Sequence, residues 1–137
     1  MQPASDNPTG ASQTMTLARL LLGAGIVSHL ALLFQVFHPK WLTVMAWVLP
    51  AVVVLPWVFL GLCSRLARGR RTASRVVLGV SALYLVLGVW AYWDTIYIHP
   101  DPQGGLVFFV MPVLGGLAAA LLMVGLLLSR PQPTSPR

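Results

Sequence analysis

The chain has 137 residues, of which 57% are hydrophobic and only 9% charged, with a net charge of +6. A soluble globule carries about 25% charged residues, so this composition, with its mean hydropathy of +0.79, excludes an ordinary soluble domain. The pI near 10.8 comes from clustered arginines and no nucleic-acid motif accompanies them, so nucleic acid is not an expected partner.

The apolar residues fall into four blocks. A helix of about 20 apolar residues spans the roughly 30 Å hydrocarbon core of a bilayer. The blocks predict transmembrane helices over 15–37, 41–63, 75–98 and 102–128, flanked by mobile tails at 1–14 and 129–137. No block alternates with period two as a barrel strand would. The expected fold is therefore all-α: a four-helix transmembrane bundle with short outer hairpins and a longer basic inner loop.

The first block holds His29, the deepest ionisable residue, beside Ser28. It has no basic cluster before it and no small-residue cleavage site after it, so it does not read as a cleaved signal peptide. An interhelical hydrogen bond at a packed interface is the plain role for His29. A bis-histidine haem would need a second imidazole at matching depth. The other two histidines, His38 and His99, fall near the ends of predicted helices, so no cofactor is expected. "FHPKW" at 37–41 follows, with His38 and Lys40 on the predicted outer side.

The second block contains Pro50 and Pro56, which are expected to bend its helix by removing backbone hydrogen bonds. It ends at Cys63, the lone cysteine. A disulfide-relay enzyme of this size needs cysteine pairs, so that class is excluded. Between the second and third blocks lie Arg65, Arg68, Arg70, Arg71 and Arg75. Basic residues near helix ends stay on the cytoplasmic side. Placing both termini inside leaves eight of the nine basic residues cytoplasmic and only Lys40 outside. The same five arginines form a loop suited to anionic lipid.

The third block runs into "YWDTIYIHPDPQGG" (92–105), which holds two of the three acids. Pro100 disfavours helix at His99, so the third helix should stop near Ile98. Asp101 followed by Pro102 reads as an N-cap and first helical position. Asp94 sits about one turn inside the helix end, with Trp90 and Tyr97 as its helical neighbours, and Tyr92, Trp93 and Trp41 read as an interfacial aromatic belt. An ionisable group at that depth is a candidate functional residue. Its expected partner is Lys40 or His38. A metal site built from His38, His99, Asp94 and Asp101 has suitable ligand types but no recognised spacing, so no metal is expected.

In the last block Gly115 and Ala119, and Gly116 and Ala120, make overlapping small-xxx-small pairs. Ala24 and Ser28 do the same on the first. These permit close helix approach, within the bundle or along a homo-oligomer seam. The stretch "DPQGGLVFFVMP" (101–112) resembles a pattern in small four-helix bacterial membrane proteins of unassigned function. There an Asp-x-Gln-small element opens the last helix and a proline follows within it. The resemblance spans about a dozen residues and implies no activity.

Hydrolytic chemistry needs a nucleophile, a base and an orienting group, and three carboxylates leave little to build them from. The leading expectation is a non-enzymatic accessory or interaction subunit of a bacterial inner membrane, with the bilayer and a membrane protein or second copy as partners. The alternative is a small transporter or channel-like oligomer using His29 and Asp94.

Overall fold

The computed structural model describes residues 8–36, 45–100 and 106–129, with side chains from 13 and 47 onward in the first two stretches. These form four α-helices: α1 (Pro8–Val36), α2 (Met45–Leu66), α3 (Arg71–Trp93) and α4 (Val107–Leu128). All four are long and apolar enough to cross a membrane. Only 22–28% of the most apolar stretch of each is buried inside the bundle, so most of its apolar side chains point outward. Outward apolar faces of that extent mark surfaces that meet a membrane or another protein.

Helix α1 begins at Pro8, seven residues before the expected start. A proline fits the first helical position because its missing N–H would have had no intrahelical acceptor. Helix α2 carries Pro50 and Pro56 without interruption, and Pro56 is among its fully buried residues. Helix α2 also continues past Cys63 to Leu66, and α3 starts at Arg71 rather than Arg75. The expected long basic loop is thus a four-residue turn. Gly69 takes φ of +80° there, a left-handed conformation that a side chain would strain. Arg65 lies in the last turn of α2, while Arg71 and Arg75 lie at the start of α3.

Arg70 leaves the basic group for a structural task. Its guanidinium donates to the carbonyl of Leu126 (3.3 Å), and to the carbonyl and hydroxyl of Ser129 (3.0 and 2.9 Å). Leu126 lies in the last turn of α4 and Ser129 is its C-cap, where carbonyls lack intrahelical N–H partners. A cation at that helix end is also favoured by the helix dipole.

The closest packing is of α2 on α4 and of α1 on α3 and α2. The core stacks in three layers. Leu33, Val53, Tyr92 and Phe108 lie toward the Asp94 end. Trp57, Leu60, Tyr84 and Ala119 lie in the middle. Cys63, Ala67, Val77 and Leu126 lie toward the arginine end. Gly115 and Ala119 face this core, so that small pair serves packing within the bundle.

The third helix ends where Pro100 places it, but its last turn is widened. Residues Asp94–Ile98 form a π-helical extension of α3. The His99 N–H bonds the Asp94 carbonyl at 2.8 Å, five residues back. The Thr95 hydroxyl donates to the Ala91 carbonyl at 2.8 Å. Wide turns of this type are rare in helices and are found frequently at functional sites.

Candidate functional site

The bundle is organised around His29. The residue is fully buried, and its ring meets three aromatic rings from two other helices. Trp57 of α2 lies edge-on at 5.3 Å between centroids. Tyr84 of α3 stacks at 5.6 Å and Tyr92 of α3 lies edge-on at 5.2 Å. Trp57 and Tyr84 are themselves 5.0 Å apart, and Tyr92 stacks on Phe108 at 4.4 Å.

Glycines make this arrangement possible. A Cβ on Gly88 would stand 2.2 Å from His29 Nε2, so the imidazole rests directly on the α3 backbone. Tyr84, Gly88 and Tyr92 recur at four-residue spacing, which puts them on one stripe of α3. His29 therefore seats over the glycine between two tyrosines. The same device repeats twice. Trp57 rests on Gly25 of α1, where a Cβ would meet its ring at 2.2 Å. Tyr84 rests on Gly115 of α4, where a Cβ would meet its ring at 2.3 Å. Three ring-on-glycine contacts thus link α2 to α1, α1 to α3 and α3 to α4.

His29 Nδ1 lies 2.9 Å from the carbonyl of Gly25, one turn back. A carbonyl only accepts, so Nδ1 carries the proton and Nε2 of the neutral ring is an acceptor. The Ser28 hydroxyl donates to the same carbonyl at 3.1 Å. Nε2 has no hydrogen-bond partner among the described residues. The same is true of three buried donors: Trp57 Nε1, Tyr84 OH and Tyr92 OH. One acceptor and three donors are thus gathered at the bundle centre, each without a mate. Unpaired buried polar groups are few in folded proteins, and each costs about 1–3 kcal/mol. Their concentration on four neighbouring rings marks this cluster as the chemically distinctive part of the described residues.

Asp94 is elsewhere. Its carboxylate lies 3.2 Å from His99 Nδ1, at the exposed end of the π-helical extension. His99 is the partner found for it, and Asp94 and His29 are not brought together. The expected partners His38 and Lys40, and the expected cap Asp101, lie outside the described residues. The Tyr97 hydroxyl, from the same wide turn, donates to the side-chain oxygen of Gln35 on α1. Among the described residues, no three His, Cys, Asp or Glu side chains approach closely enough to share a metal ion.

The aromatic belt needs one correction. Trp93 is about half exposed, as an interfacial ring should be, and packs on Tyr97 at 4.4 Å, while Trp41 lies outside the described residues. Tyr92 is instead fully buried against His29 and Phe108. Its place follows from helical phase, because eight residues from Tyr84 return it to the inward face. The Tyr84-Gly88-Tyr92 spacing was the available signal for this centre. It was obscured because both tyrosines lie in a run that is apolar on every face.

No protein-family model, no curated protein and no solved structure matches this chain.

Proposed function

We propose that this protein is an integral membrane protein without catalytic chemistry of its own, an accessory or interaction subunit in a bacterial inner membrane. The observation that carries the reading is the enclosure of His29. Its imidazole is wedged between Trp57, Tyr84, Tyr92 and the backbone at Gly88, where a substrate has no approach. In this reading the cluster holds the helices in one register, and the outward apolar faces meet lipid and a partner. The resemblance of residues 101–112 to small four-helix bacterial proteins supports the same setting.

Charge supports an orientation with both termini in the cytoplasm, the arginine end inside and the Asp94 end outside. Cysteines introduced as Thr72→Cys and Gln103→Cys are expected to react with an impermeant thiol reagent from opposite sides of intact cells. Labelling of the Thr72 variant from outside overturns the orientation. Native Cys63 is fully buried and leaves the assay readable.

The second reading, a small transporter or channel-like oligomer, is favoured by the four unmated polar atoms at the bundle centre. Extraction from native membranes in mild detergent, followed by mass determination of the intact complex, separates the two. An accessory subunit is recovered with a different chain at fixed stoichiometry. Recovery as a homo-oligomer alone, with solute or proton flux abolished by His29→Gln, replaces the first reading by the second.

A further inference from the structure

We infer that the cleft between α1 and α2 at the arginine end is a binding site for one anionic phospholipid, its phosphate held by Arg19, Arg65 and Arg68. The inference rests on the reading of the chain as membrane-spanning and gives the attraction of the basic group for anionic lipid a defined place.

The cleft has a volume of about 760 Å³ and is bounded on both sides by helix surface. On α1 its wall runs from Arg19 through Leu22 to Ile26. On α2 it runs from Val58 through Leu62 to Arg65. Both are steps of three and four residues, so each set lies on one helix face. The helices are antiparallel here, and both stripes put their cation at the same end. Seven residues separate cation from deepest apolar side chain on each helix, or roughly 10 Å at 1.5 Å per residue. Arg68, in the following turn, adds a third guanidinium at the mouth, and Ser64 adds a hydroxyl. Trp57 closes the floor.

A cationic mouth above an apolar trough matches a phosphate above an acyl chain. Among the described residues the only carboxylate is Asp94, at the opposite end of the bundle. Among those residues the three guanidiniums also have no hydrogen-bond or ion-pair partner, unlike Arg70. Three like charges lining one cleft, with no counter-charge beside them among the described residues, repel one another, and a bound anion relieves that repulsion. Guanidinium suits a phosphate because its donors match two oxygens at once. Arg71 and Arg75 do not line the cleft, which separates it from the rest of the basic group.

The test uses the full chain in nanodiscs of equal phosphatidylglycerol and phosphatidylcholine. Lipid retained after release into detergent is counted by native mass spectrometry. The wild-type protein is expected to keep one phosphatidylglycerol in preference to phosphatidylcholine. The double variant Arg19→Gln/Arg65→Gln should lose about 30-fold of that preference, at about 1 kcal/mol per basic residue near an anionic headgroup. Arg71→Gln/Arg75→Gln removes the same charge outside the cleft and should retain it. Equal loss in both double variants overturns the site in favour of diffuse surface attraction. Displacement of the lipid by excess inorganic phosphate overturns it in favour of a free-anion site. Incorporation without any lipid preference overturns the inference but leaves the membrane reading standing, whereas failure to enter nanodiscs overturns both. Unchanged helical circular dichroism in the variants excludes misfolding as the cause of a loss.

Discussion

Gly88→Ala is expected to destabilise the bundle by about 1–3 kcal/mol, the usual cost of forcing an extra carbon into a packed core. In most helices this substitution is favourable, because alanine is the better helix former. Here the added Cβ would stand 2.2 Å from His29 Nε2 and about 3.0 Å from Cε1. The imidazole has no room to retreat, with Trp57, Tyr84 and Tyr92 around it and Nδ1 bonded to Gly25. Either the ring leaves its rotamer or α1 and α3 move apart. Gly79→Ala is the internal control. It lies on the same helix with nothing within 4 Å of its Cβ position, so it should be neutral or slightly stabilising. The measurement is reversible unfolding in mixed micelles. The clash should vanish in a His29→Ala background, giving a coupling energy of the same size as the single effect. Equal stabilities for the Gly88 and Gly79 variants would refute the ring-on-glycine account.

Trp57→Ala should cost about 2–3 kcal/mol, and the reason is not the one that applies in water. In the micelle assay detergent hydrocarbon surrounds the helices in both the assembled and separated states, so the water-exclusion part of core burial is largely absent. What remains is lost packing. A cavity costs about 24 cal/mol per Å³, and a hole on the order of 100 Å³ remains after partial collapse. Trp57 is 1% exposed and touches His29 and Tyr84, with Gly25 beneath it. Trp90 is 63% exposed on the outside of the bundle, where micelle detergent replaces whatever is removed. Trp90→Ala should therefore shift stability by no more than about 0.5 kcal/mol. The comparison is made in the same micelle assay. Equal losses for the two tryptophans would remove Trp57 from the structural centre.

Both results bear on function. If His29, Trp57 and Tyr84 are fixed by glycine contacts, and Tyr92 by packing on His29 and Phe108, the unmated atoms at the centre belong to a rigid cluster. A rigid cluster suits a subunit that presents constant surfaces. A transporter must open and close around its polar centre, and the Gly88 clash would then change flux more than stability.

The number of helices, their membrane-crossing length and the end of the third near Ile98 were legible in the sequence. The physical reason is that these depend on local quantities: apolar run length, and the backbone restriction that Pro100 puts on His99. Helix starts were less legible. Pro8 opens α1 within a polar stretch, and α2 and α3 extend into the arginines until one four-residue turn remains. Polar residues are compatible with helix beyond the apolar run, so hydropathy alone ends such helices too early. His29 stood out as a buried polar residue, but its neighbours did not. Which of many aromatic side chains meet it depends on helical phase and on which glycines allow contact. In runs apolar on all sides, no hydrophobic stripe reports that phase. Likewise Asp94 was visible as an unusual acid, yet its partner His99 is five residues along a π-turn that no composition signals. The sequence by itself determined how many helices of membrane-crossing length the described residues form and where charge collects. Only the tertiary structure decided which rings share the centre, because three glycine contacts between different helices bring them within van der Waals reach.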